Sequence, residues 1–133
     1  MRSLGIGLLL AGVSGVFTAP AGATVGNYNG TWPVTVTNSQ RSNGTGCLTL
    51  SGNPRSGGAS LIFENQKYTY GSFLVKDGII VVSILEQLYG QNGVLQFTAH
   101  AGGGHVGKGI FQDLRGGSDF DEGALTFGTK NGC

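Results

Sequence analysis

The dipeptide Asp77-Gly78 stands between two apolar runs, YTYGSFLVK and IIVVSIL, and constrains the fold more than any other stretch of the chain. A two-residue hairpin turn that matches strand twist needs positive φ at both positions, which aspartate tolerates and glycine adopts freely. The turn sets a register in which Lys76 faces Ile79, Val75 faces Ile80 and Phe73 faces Val82. Side chains alternate across a strand, so Gly71, Phe73, Val75, Ile80, Val82 and Ile84 form a core face. The opposite face carries Tyr70, Leu74, Val81 and Leu85, with Tyr68 and Tyr89 at its rim, and is more apolar than a solvated face requires.

The same pattern recurs along the chain. Apolar, β-branched segments predict strands at 31–37, 47–50, 59–63, 68–76, 79–85, 94–101, 106–114 and 124–129. Turn residues separate them: Asn43-Gly44, Gly52-Asn53-Pro54, Glu64-Asn65-Gln66, Asp77-Gly78, Asn92-Gly93, Gly102-Gly103-Gly104 and Gly116-Gly117. Pro33 lacks a ladder donor and marks the first strand's start or a bulge. The 26 glycines follow no triplet period, so they read as turns and bulges rather than as a fibre. No stretch repeats at helical period; 86–90 allows one helical turn at most. Eight short-linked strands predict a single all-β domain, an eight-stranded antiparallel up-and-down barrel, because closure removes exposed edges. A two-sheet β-sandwich is the alternative. The bulky inward set Trp32, Phe73, Phe97, Phe111 and Phe127 points to a filled interior.

Residues 1–23 read as a signal peptide: Arg2 is followed by an apolar run too short to span a membrane and by Ala21-Gly22-Ala23. Cleavage after Ala23 leaves 24–133 as the barrel domain. Val13 stands where a lipoprotein signal would need cysteine, so the expected product is soluble, without a membrane anchor, and secreted or periplasmic. The formal net charge of +1 and the absence of a basic run exclude nucleic acid as the main partner. Two cysteines in an exported chain, Cys47 and Cys133, predict a disulfide. If β-structure begins at Cys47, that residue lies near the first strand's far end, and the tail 130–133 has to double back to reach it.

Gly30-Thr31-Trp32, opening the first strand after a short leader, resembles the G-x-W start of the calycin barrels: lipocalins, avidins, fatty-acid-binding proteins and small bacterial protease inhibitors. The resemblance implies a barrel in which Trp32 closes one end and packs against a basic residue of the last strand, for which Lys130 is the nearest match. It also implies a carrier for a small apolar ligand. The run Tyr28–Trp32, G-x-F-x-V from Gly71 to Val75 and the glycines before Phe111 are similar to those of glycine-rich exported bacterial proteins of unknown function.

Catalytic residues are not indicated. The chain has no G-x-S-x-G elbow, and Glu64, Glu86 and Asp113 are scattered with nothing to tie two of them into an acid–base pair. His100 and His105 flank one loop and supply too few ligands for a metal. Asp119-Phe120-Asp121-Glu122-Gly123 resembles the opening of a calcium loop, but Lys130 stands where its bidentate glutamate belongs, which leaves a solvated acidic turn. No cofactor is expected. The reading is therefore a non-enzymatic exported barrel whose Tyr70, Leu74, Val81 and Leu85 face binds a second copy or another exported protein; the alternative is a carrier holding a small apolar ligand inside the barrel.

Overall fold

The computed structural model describes residues 26–38, 43–88, 91–115 and 120–133; the leader, Tyr89, Gly116-Gly117 and Asp119 lie outside the described residues. In chain order the strands are β1 (Gly30–Asn38), β2 (Asn43–Asn53), β3 (Ser56–Phe63), β4 (Gln66–Tyr68), β5 (Gly71–Lys76), β6 (Ile79–Leu88), β7 (Gln91–Gly102), β8 (His105–Arg115) and β9 (Phe120–Phe127). Neighbouring ring strands pair antiparallel, with β3 pairing directly to β5, and β9 returns to pair with β1, closing an eight-stranded up-and-down barrel. The short strand β4 stands outside the ring and pairs with β3.

The central hairpin forms with the expected register. Asp77 and Gly78 have φ of 54° and 79°, and Phe73↔Val82, Val75↔Ile80 and Lys76↔Ile79 are paired. Ahead of it the segment 68–76 is broken rather than continuous. From Ser72 back to Tyr68 the chain uses one residue more than β3 does from Gly58 to Leu61, which is a bulge at Thr69-Tyr70. Two glycine motifs expected as turns lie instead inside strands: Asn43-Gly44 pairs with Thr37 and Val36 at the start of β2, and Gly93 pairs with Glu86 in β7. Likewise 86–88 continues β6 and is not helical. In each case a ladder bond to an existing neighbour outweighs a local turn preference.

The barrel is filled at one end. Trp32, Leu50, Phe73, Val75, Ile80 and Val82 are buried there, and Phe127 meets Trp32 edge to face with ring centroids 6.0 Å apart. Residues 26–29 cross this end as a plug. Tyr28 is fully buried, its carbonyl accepts the Trp32 indole N–H at 3.0 Å, and its amide donates to the Pro54 carbonyl at 2.8 Å. The Gly104 amide donates to the Tyr28 hydroxyl.

The tail secures the plug from outside. Lys130 Nζ donates to the Asn27 carbonyl at 2.6 Å, and the Asn131 amide donates to the Thr31 carbonyl. A turn with Asn131 at φ 63° reverses the chain, and Cys133 joins Cys47 with a Cα–Cα distance of 6.0 Å. Cys47 is not at the far end of β1. Strand β2 begins at Asn43, so Cys47 lies opposite Pro33, near the start of β1 and one strand from the end of β9. The tail crosses that single strand over the Pro33 ring, which lies against both Gly128 and Gly132.

Candidate functional site

Opposite the plug, inward side chains fail to meet, and the barrel opens into a cavity of about 300 Å³. Its lower wall is apolar and aromatic: Val36, Leu61, Leu95, Phe97 and Phe111, with Phe63 and Tyr68 above. Phe63 reaches the wall because β2 offers it bare backbone. A Cβ on Gly44 would stand 2.5 Å from the Phe63 ring, and one on Gly46 would stand 2.9 Å from it. The expected filling by Trp32, Phe73, Phe97, Phe111 and Phe127 therefore holds for the plugged end, while the layer beyond Phe97 and Phe111 is left open.

The upper wall is acidic. Glu64, Glu86, Asp113 and Asp121 all line the cavity. Three of the four arrive by continuing an inward pleat past its apolar part. On β6 the series Ile80, Val82, Ile84 is followed by Glu86, which is 6% exposed and the one buried charged residue among those described. On β8 Asp113 follows Phe111, and on β9 Asp121 precedes Gly123 and Leu125. The register sets Asp121 directly opposite Asp113. Asp121 Oδ1 accepts the Glu122 amide at 2.9 Å.

These residues were individually visible in the sequence, but their convergence was not. Glu64, Glu86 and Asp113, expected to be scattered, share one cavity, and the acidic segment at 121–122 is part of strand β9 rather than a turn. Extending the period of two beyond Ile84 and Phe111 would have placed both carboxylates inward.

The other expected sites are located as follows. On the outer wall Tyr70, Leu74 and Leu85 are exposed and Val81 is half-buried; Leu74 pairs with Val81, and the Leu85 amide donates to the Tyr70 carbonyl at 2.8 Å. Trp32 closes the plugged end. Its aromatic neighbour is Phe127, while Lys130 lies beyond β9 and bonds the plug backbone. His105 pairs with Gly102 and His100 with Ile79, so the two histidines are not opposite one another; both are exposed. The described residues hold no group of three or more metal-ligating side chains. Comparison with protein-family models, curated proteins and solved structures finds no match for this chain.

Proposed function

We propose that this protein is an exported, non-catalytic binding barrel whose ligand, a small and largely apolar molecule, occupies the open end. The observation that carries the reading is the cavity of about 300 Å³ floored by Leu95, Phe97 and Phe111. Ligand sites are concave, mostly apolar and finished by a few polar groups, and the mouths of barrels are among their common places. The disulfide is consistent with an oxidising compartment, and export through the leader accords with it. Native mass spectrometry of protein taken from the exported fraction tests this. The expected result is a small-molecule adduct that is lost on unfolding and absent from Val36→Phe, which fills the cavity. A ligand-free mass, together with no uptake of a neutral naphthyl dye, would overturn the reading.

A second reading rests on the outer wall. Tyr70 is 69% exposed and Leu74 53%, and with Val81 and Leu85 they form a contiguous apolar patch on β5, the bulge ahead of it and β6. Such patches favour association, and self-association through this face is the proposal. Light scattering should show a mass above one chain that falls to one chain in Leu74→Asp. A monomeric wild type would eliminate it.

A further inference from the structure

We infer that the open end takes a flat aromatic molecule of about ten non-hydrogen atoms, and that Phe63, seated on Gly44, sets that limit. The inference rests on the ligand-binding reading of that cavity and adds the ligand's shape and the residue that selects it. A cavity of about 300 Å³ has room for about ten waters at about 30 Å³ each, and a ring carbon with its hydrogen needs about as much. The kind of atom follows from the walls. Around the ring β3 and β8 are four strands apart in either direction, so Phe63 and Phe111 line the cavity from opposite sides. Phe97 is paired with Phe111, and Tyr68 with Leu61 on the strand that carries Phe63. A flat ring entering between these walls meets aromatic groups on both sides. Each aromatic pair contributes beyond the area it buries, which an aliphatic body of equal size does not obtain.

Phe63 differs from the other wall residues in how it is held. Leu61, Leu95, Phe97 and Phe111 are buried, whereas Phe63 is half-buried at the mouth. Its backbone is fixed, because Glu64 and Asn65, at φ 48° and 68°, make a tight turn that pairs Phe63 with Gln66. Its ring rests on Gly44. That glycine pairs with Val36 in the regular ladder and its φ lies outside the left-handed region, so its backbone conformation does not call for glycine. The three atoms nearest to a Cβ at Gly44 all belong to side chains: Cζ and Cε2 of Phe63 and Oε1 of Glu64. Glycine weakens a strand, and what it provides here is room for the Phe63 ring against the wall. Removing that ring would add the space of about six carbon atoms to the cavity.

Three neutral alcohols decide it: naphthylmethanol, its saturated decahydro analogue and pyrenylmethanol, titrated by fluorescence directly or by competition, with NMR locating the site. The wild type should bind the naphthyl compound about two- to tenfold tighter than the decahydro compound and at least about tenfold tighter than the pyrenyl compound, with shifts at Phe97 and Phe111. Phe63→Ala should bind the pyrenyl compound at least as tightly as the naphthyl one. Phe63→Leu should move the ranking in the same direction and serves if the alanine variant does not fold. Gly44→Ala, which drives the ring off its seat, should weaken the naphthyl compound at least about threefold. Equal binding of the naphthyl and decahydro compounds by the wild type, or an unchanged size ranking in the Phe63 variants, would overturn the inference and leave the ligand-binding reading standing. A wild type that binds none of the three, or binds them with shifts elsewhere, would overturn both.

Discussion

Replacing both cysteines with serine is the most informative test of how the plugged end is held. The bond joins positions 86 apart, and in the chain-entropy model closing a loop of that length removes about 4–5 kcal/mol of denatured-state freedom. A domain of this size is stable by about 5–15 kcal/mol, so the double variant should keep its fold with a large part of its stability gone. Its thermal midpoint should fall by roughly 15–20 °C. In urea its midpoint should drop and its slope should rise, because the unlinked denatured chain exposes more surface. Local effects follow from the contacts. With Cys133 released, the tail's bonds from Lys130 to Asn27 and from Asn131 to Thr31 are left to hold residues 26–29 over Trp32. The Gly104 amide, which donates to Tyr28, should then exchange faster than the amides of β6 and β7. A loss below about 1 kcal/mol with an unchanged urea slope would refute the reasoning, since it would mean the denatured chain is no more expanded without the cross-link.

Trp32→Ala should cost about 3–5 kcal/mol, since it removes a buried ring, its contact with Phe127 and its bond to the Tyr28 carbonyl; urea denaturation measures it. Gly123→Ala places a methyl group against the Thr37 carbonyl oxygen on the seam where β9 closes onto β1, and should cost about 1–3 kcal/mol with faster hydrogen exchange along β9. Gly102→Ala meets nothing within 4 Å and should stay within about 0.5 kcal/mol of wild type, which makes it the control. Gly78→Ala puts a side chain at φ 79° and should lower stability by about 1 kcal/mol, read from the urea midpoint at unchanged slope; no change would show that the hairpin turn is not a constraint on register.

Much of the barrel was legible because its determinants are local. Asp77-Gly78 specifies its own turn, and a period of two either side of it assigns each residue to a face, so the pairing from Phe73↔Val82 to Lys76↔Ile79 could be written down in advance. Strand ends were less legible. Asn43-Gly44 and Asn92-Gly93 carry turn chemistry, yet both motifs lie in strands, because neighbouring strands supply ladder partners that no local preference contains. The misplaced start of β2 then misplaced Cys47, which made the disulfide look geometrically awkward when in fact Pro33 lies opposite it.

By itself the amino-acid sequence determined the all-β class, the strand count of the ring, the core face of the central hairpin and the pairing of two cysteines. Each follows from spacing along the chain, from turn chemistry, or from there being two thiols and no more. Only the tertiary structure decided which end of the barrel is plugged, and that Glu64, Glu86, Asp113 and Asp121 meet around one cavity. Their convergence depends on closure of β9 onto β1 and on the register of non-local strands. A side chain's inward direction can be read from its parity, but its depth along the barrel axis is set by partners far away in the chain.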